Sequence, residues 1–468
     1  MATEVTAPVS PLTPPLAPER PVVWPERTEA RLSCGIPVHM VERHTIPKFS
    51  IQFFVRSGAA SVAPGAHAAA SLAGALLRTG TSSRDEQAIA SRDEQAIDDE
   101  LRRIGADLSS GAGADASWIA ANGLSEFSAQ LINLVADVAR DPAFPEGPFE
   151  RERRNAIEAA RLDRTSPSFL AGERFRSELF GAHPYAVVSP SEDQLAAVTR
   201  ADLQAFHRAH YSPQNALLLA VGDFSPSRLV EQMESAFAGW TGSAVERPAE
   251  PEPPEHFGRH VALVHVPGAV QAQIAAGNLA ITRSHPDWFR MTLANAIYGG
   301  AFHSRLVANI REQKGYTYSP RSGMTAFRRR GYFSVHAAVR NDVVAATLTE
   351  IFYELDRIRA LPVTDDELAD AKAYLSGVFS LGIATLGGLA SQLGTLYLHD
   401  LPERYLETYR EHVRAVSALE VMAAARAHFD AANMQIVMAG DADQIAGQAR
   451  LFGDVRVFDA QGKLISED

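Results

Sequence analysis

AVTRADLQAFHRAHYSPQNALLLAVGD, Ala197 to Asp223, aligns without a gap on AVSALEVMAAARAHFDAANMQIVMAGD, Ala415 to Asp441, at a constant offset of 218 residues. Nine of the 27 pairs are identical, among them Ala209/Ala427, His210/His428, Asn215/Asn433, Gly222/Gly440 and Asp223/Asp441, and Tyr211 is matched by Phe429. Solenoid units run to about 20–50 residues, so a period this long indicates a whole domain written twice. With 468 residues in the chain, each copy is large enough to bury a core of its own.

Outward from the repeat, the element order is the same in both halves. RLSCGIPVHMVE and FSIQFFVRSG, within Ala30 to Gly58, read as two strands around a turn, and Ala66 to Arg78 as an alanine-rich helix closed by Gly80. SRDEQAI then occurs twice in tandem, Ser83–Ile89 and Ser91–Ile97. An eight-residue insertion is not a whole number of helical turns, so the extra copy is expected in the loop before the next helix. TGSAVERPAEPEPPEHFG, Thr241 to Gly258, is rich in proline and glutamate and reads as an unpacked linker. From His260 the order restarts with HVALVHV, QAQIAAGNLAI and a helix from His285 to Tyr298 ending at Gly299 and Gly300. A capping box, Thr364 to Glu367, opens a later long helix. The expected organisation is a proline-rich tail over 1–28, a first α+β domain over 29–240, a linker over 241–259 and a second α+β domain over 260–468.

Composition narrows the function classes. A net charge of −12 disfavours a nucleic-acid backbone as partner, because that needs clustered positive charge. FRRRG, Phe327 to Gly331, is the only dense basic run and reads as a solvated loop, with an acidic contact as the minority reading. Cys34 is the single cysteine, which excludes an internal disulfide and a multi-cysteine metal site. With 21% charged residues and no stretch near the ~20 apolar residues of a membrane span, no membrane insertion is expected. The N-terminal residues lack the basic start and apolar core of a signal peptide.

Several motifs together resemble those of the pitrilysin-type zinc metallopeptidases, family M16, and within it the short two-domain subfamily M16B that includes mitochondrial processing peptidase and bacterial two-subunit enzymes. They are RLSCGIPVHMVE, LLRTGT, GAHPY at Gly181–Tyr185, NALLLAVGD and, most specifically, AFHSRLVANIREQKGYTYSPRSG from Ala301 to Gly323. The resemblance spans about residues 29 to 460. It implies two homologous domains of the LuxS/MPP-like metallohydrolase fold, each a mostly antiparallel sheet with helices on one face.

The family's metal motif is HxxEH, two histidines for zinc and a glutamate as general base. Counted back from Gly80-Thr81, its five positions are Ser71, Leu72, Ala73, Gly74 and Ala75; the third ligand, seven residues after Glu152, falls on Ala159. No zinc is therefore expected in this chain, and His67, His207 and His210 are expected to be structural. The second half matches the family's R-x6-Y pattern at Arg311 and Tyr318. The resemblance implies that these two face a zinc across a closed cavity and act as donors to a substrate carbonyl and its oxyanion. Tyr316 competes for the tyrosine role, on the same face as Tyr318 if the segment is a strand. Gly299 and Gly300 are substrate-side candidates at the cavity wall, with a plain helix C-cap as the alternative.

The implied function is a metal-less subunit of a heterodimeric M16B peptidase. An HxxEH-bearing partner would supply zinc, this chain would supply the Arg/Tyr pair and half of a cavity, and the substrate would be an unfolded peptide. A structural or assembly subunit and a peptide-binding homodimer without proteolysis are the alternatives. Resemblance favours a periplasmic location, with cytoplasm as the alternative.

Overall fold

A computed structural model describes residues 24–63, 65–81, 92–243, 245 and 250–467. Two large sheets dominate it. The first runs, edge to edge, Arg27–Arg31, Pro37–Glu42, Ala216–Gly222, Lys48–Val55, Ser117–Leu124 and Asp107–Ala112. The second runs Leu464–Glu467, Asp454–Phe458, His260–His265, Gln435–Gly440, Gln271–Ala280, Gly331–Arg340 and Arg321–Ala326. From Pro37–Glu42 in one and His260–His265 in the other, five strands follow the same order and directions: one parallel pair, then three antiparallel pairs. Only the outer edge differs. It is filled by the antiparallel strand Arg27–Arg31 in the first sheet and by the parallel strand Asp454–Phe458, from the other chain end, in the second.

The repeat is visible residue by residue. Helix Arg200–His210 opens with a capping box between Thr199 and Asp202, and helix Ala418–His428 with one between Ser417 and Glu420, both pairs related by the same offset. The box satisfies orphan amides at the first turn, which fixes where each helix starts. Both helices run into the duplicated strands, Ala216–Gly222 and Gln435–Gly440, which are buried along their whole length.

Those strands are buried on both faces, where the family pattern implied helices on one. Leu218 and Ala220 face the core formed by the first half's own helices, while Leu217, Leu219 and Val221 face helices of the second half. In the second sheet Ile436 and Met438 face their own helices, whereas Val437 and Ala439 face helix Pro167–Phe180 of the first half. Helix Leu386–Leu398 of the second half returns the exchange by covering Ala216–Gly222 and Lys48–Val55. A strand covered on both sides reads as a continuous apolar run, and ALLLAVG is such a run.

Close packing locks the exchange. A Cβ on Gly277 would lie 2.9 Å from the Phe175 ring, and one on Gly394 would lie 2.8 Å from the Phe54 ring. In one case a strand glycine admits a helix phenylalanine; in the other a helix glycine admits a strand phenylalanine. The exchanged helices start cleanly, at a Ser166 cap followed by Pro167 and at a Thr385 cap bonded to Gly388 N–H.

Several expectations change. RLSCGIPVHMVE is the turn and second strand of a hairpin rather than one strand: Pro37–Glu42 pairs with Arg27–Arg31 across a turn at Gly35, φ +100°. The tail expected over 1–28 gives way to structure before its end: Trp24 packs against Phe379, and Arg27 and Thr28 begin a strand. FRRRG is a loop with Arg329 and Arg330 exposed, as expected, and it also makes the acidic contacts that were the minority reading. Phe327 stacks on Tyr185 at 4.2 Å, Arg328 pairs with Asp400 at 3.0 Å, and Arg329 pairs with Glu250 at 3.2 Å. Glu250 lies in the linker, whose Pro254 abuts Gly181 and whose His256 reaches Leu179 O, so irregular chain there is nonetheless packed. GAHPY sits at this junction. Burial raises the Tyr185 hydroxyl far above its ordinary pKa, and the hydroxyl donates to Asp115 at 2.6 Å. Of the tandem repeat, Arg92–Asp93 is a short strand and Glu94 opens a helix to Ile104, while the first copy lies outside the described residues. Among the described residues no single helix is long and apolar enough to cross a membrane.

Candidate functional site

In the first half, the positions of the metal motif fall on helix His67–Leu76, packed against strand Asp107–Ala112 and helix Glu146–Asp163. Gly74 stands where the family's glutamate would be, and a Cβ there would lie 2.6 Å from Ala112 N and 2.8 Å from Ala112 Cβ. Ser110 Oγ donates to Gly74 O at 2.8 Å and clamps helix to strand. Space for a catalytic carboxylate is occupied by backbone. Ser71 is half-buried, and Ala75 and Ala159 are exposed; the four positions offer one hydroxyl and no imidazole or carboxylate, which does not fit zinc.

The nearby histidines are placed otherwise. His207 Nε2 bonds Ala139 O at 2.9 Å and the ring stacks on Tyr211, while His210 Nδ1 meets Ser57 Oγ at 3.2 Å. His67 is buried, with both ring nitrogens unpartnered among the described residues, and burial lowers its pKa toward the neutral form.

The second half brings its predicted pair together. Arg311 lies in a π-helical stretch, Val307–Gln313, and its guanidinium carbon sits 4.4 Å from the Tyr318 ring centroid. Its other neighbour is the Phe302 ring, at 5.0 Å. Phe302 and Tyr318 are 72% and 79% exposed, while the Arg311 side chain beside them is 23% exposed. Arg311 Nε pairs with Glu312 at 3.2 Å, and among the described residues its terminal amino groups have no acceptor. Inserted π turns are frequent at functional sites because they re-aim side chains. Gly315, at φ +63°, ends the stretch, and Tyr316 N donates to Ile310 O at 3.0 Å. The chain then runs without regular structure to Arg321, so Tyr316 and Tyr318 do not share a strand face: Tyr316 packs against the core, Tyr318 points outward.

Two anchors hold this segment. Arg305 forms a bidentate pair with Glu367 at 2.6 and 2.9 Å, and Asn309 donates to Glu350 and Glu354, both at 2.9 Å. Burial alone would raise the Glu367 pKa, yet the Arg305 guanidinium and the Thr364 cap hold it down to about 2. Gly299 and Gly300 end a second π-helical turn, Ala296–Gly300. A Cβ on Gly299 would lie 2.7 Å from Ser322 Oγ and 2.9 Å from Ser322 N. The geometry thus gives Gly299 a packing role against strand Arg321–Ala326, the counterpart of Gly74 against Ala112. Phe302 escaped the sequence reading; its signal was an aromatic residue in a turn two residues before Ser304-Arg305-Leu306.

One other cluster has metal-like spacing, His285, Asp287 and His428, with one ligand atom from each within 4.8 Å of the others. His285 Nδ1 accepts from Asp287 N–H at 3.1 Å, Asp287 Oδ2 meets His428 Nε2 at 2.9 Å, and Asp287 Oδ1 meets Arg290 at 2.6 Å. Accepting at Nδ1 leaves the neutral His285 ring protonated at Nε2, a donor and not a ligand. The cluster is a hydrogen-bonded ion-pair network.

Comparison with known proteins accords with this geometry. Residues 197–375 match the family described as the peptidase M16 inactive domain. The crystal structure of the peptidase M16 inactive domain from Pseudomonas fluorescens superposes with a TM-score of 0.78 at 28% identity, covering 88% of this chain and 98% of that one. In sequence over residues 197–375, and in fold over most of its length, the chain is similar to M16 peptidases. A protease from Helicobacter pylori shares the fold, with a TM-score of 0.80 at 19% identity over 89% of this chain and 100% of that one. In sequence the chain is similar to an uncharacterized zinc protease of Streptomyces coelicolor, 26% identical over 61% of this chain and 65% of that protein's length. An uncharacterized zinc protease of Bacillus subtilis is 20% identical over 85% of this chain and 95% of its own length.

Proposed function

We propose that this chain is the metal-less subunit of a two-chain M16B zinc metallopeptidase, contributing Arg311, Tyr318 and half of a cavity for an unfolded peptide. One contrast carries the reading: the base position, Gly74, has no room for a side chain, while Arg311 is in contact with Tyr318, whose ring is open to solvent. Zinc and base then belong to an HxxEH-bearing partner, where the metal would activate water.

The chemistry of this chain's residues follows from their geometry. Two rings flank the Arg311 guanidinium, so its hydrogen bonds are made at its edges. Glu312 occupies the Nε edge, and the terminal amino groups, without an acceptor among the described residues, suit a substrate carbonyl and the negative charge that grows on its oxygen. The Tyr318 hydroxyl adds a neutral donor at the same place. Arg305, Asn309 and the π turn fix the segment, so the donors are positioned before substrate arrives.

The test is co-expression with the HxxEH homologue of the same genome, co-purification, and cleavage of an unfolded peptide. Arg311→Ala is expected to lower kcat/KM by about 10²–10³, with zinc near one equivalent per pair and lost on mutating the partner's motif. Unchanged cleavage in Arg311→Ala and Tyr318→Phe, or zinc bound by this chain alone, would overturn the reading.

A further inference from the structure

Helices Glu146–Asp163 and Asp365–Gly382 occupy equivalent places in the two halves, and each has 18 residues. Their solvent faces differ. The first exposes Arg151, Arg154, Glu158 and Arg161, tied into ion pairs such as Arg151 with Glu94 and Arg161 with Glu192. The second exposes Ala373, Tyr374, Gly377, Val378 and Leu381, at the spacing that places them on one face. Val378 and Leu381 are 49% and 76% exposed. Among the described residues open space lies over Gly377, so none of their packing accounts for a helix-interior glycine, which costs about 1 kcal/mol relative to alanine.

The apolar face joins the arginine–tyrosine site through ring contacts. Tyr374 meets the His303 ring edge-on at 5.9 Å, and His303 follows Phe302, which flanks Arg311. From Tyr374 to Leu381 the stripe is about 10 Å long. A folded partner in a stable complex covers about 800 Å² per side, far more than one helical stripe presents. An extended peptide spans that length with about three residues.

We infer that the track from Phe302 and His303 along Tyr374, Val378 and Leu381 binds the flank of the substrate peptide, selecting unfolded segments with large apolar side chains beside the bond held at Arg311. This rests on the proposed function and adds a substrate class to it. Apolar burial supplies the selection, and Gly377 allows the peptide backbone close to the helix axis.

Fluorescence anisotropy on the purified full chain tests it, with two labelled peptides of equal length, one carrying leucine and phenylalanine on one flank, the other serine at those places. Val378→Asp and Leu381→Asp lie on the surface, and each is expected to weaken the apolar-flanked peptide at least about tenfold while leaving the serine peptide unchanged. Leu162→Asp, equally exposed on the equivalent helix, is expected to change neither. Equal binding by wild type and the stripe variants, or equal loss for both peptides, overturns the inference, as does conversion of a wild-type dimer to monomer by Leu381→Asp, which would make a second copy the occupant. If Arg311→Ala leaves cleavage by the co-purified pair unchanged while the stripe variants lose the apolar peptide, the proposed function fails and the track stands as a peptide site. If the serine peptide needs Arg311 and the apolar one ignores the stripe, the reverse holds; no binding of either peptide to wild type sinks both.

Discussion

His210 and His428 occupy the same place in two copies of one domain, yet they serve different neighbours. His210 meets Ser57 at the end of its own sheet, whereas His428 bonds Asp287 in an ion-pair network. Asn215 likewise donates to Ser57 and to His210 O, while Asn433 accepts from Gly258 and donates to Asp430. The capping boxes and the buried strands have stayed; the side-chain partners have drifted. What a duplication preserves is the backbone frame, because caps and two-sided burial constrain every residue of it. Chemistry is freed to settle in one copy, and here the arginine–tyrosine pair has no counterpart at the metal-motif positions of the first half.

The exchange of helices is the strongest shared constraint, so breaking it carries the largest effect. Phe175 is fully buried in the first half's helix and packs on the second half's sheet. Phe175→Ala is expected to cost about 3–5 kcal/mol, read as a single cooperative loss of both halves in urea unfolding. Two separate transitions, with only one shifted, would show that the halves fold independently.

A pH titration sharpens the same boundary. His336 lies under Phe175, and burial, helped by Arg321, lowers its pKa to about 4. The unfolded chain binds its proton first on acidification. Stability is therefore complete above pH ~6.5 and falls as pH drops toward 4, by about 3 kcal/mol for this one group. Glu367 follows in a lower window, with stability lost below the ordinary glutamate range toward about 2. His336→Gln should flatten the upper window in thermal melts from pH 7 to 4.5; an unchanged slope would remove His336 from the account.

Gly74→Ala and Gly299→Ala compare the two helix–strand contacts. Each is expected to destabilise by about 1–3 kcal/mol through overpacking, with similar values marking equivalent contacts. A stabilised Gly74→Ala variant would reopen space for a side chain at the base position. The smallest effects belong to the caps: Thr199→Ala and Ser417→Ala should each cost about 1 kcal/mol, and a marked inequality would show that one copy depends on local structure more than the other.

Much of this was legible in the residues. The offset of 218 gave the repeated frame, TDDE gave a helix start confirmed in the bonds of Thr364 and Glu367, and the R-x6-Y spacing named two side chains that do touch. Long-range pairing was not legible. No local pattern ties FRRRG to Asp400 and Glu250, because a charge's partner across the fold leaves no trace in its own neighbourhood. ALLLAVG did hold the clue to two-sided burial, but periodicity alone cannot say which helix covers the second face. The choice between Tyr316 and Tyr318 turned on Gly315 and the π stretch before it, which break the strand periodicity on which a shared face depends.

The exchanged helices also bear on synthesis. Helix Pro167–Phe180 emerges early, but the sheet it covers is not complete until Asp454–Phe458 has been made, and the first sheet waits for Leu386–Leu398. At about 5–20 residues per second, the nascent first half spends tens of seconds with an apolar sheet face and an apolar helix uncovered. For the same reason a cut in the linker of the finished protein should leave the two pieces interlocked, migrating together until denaturant separates them.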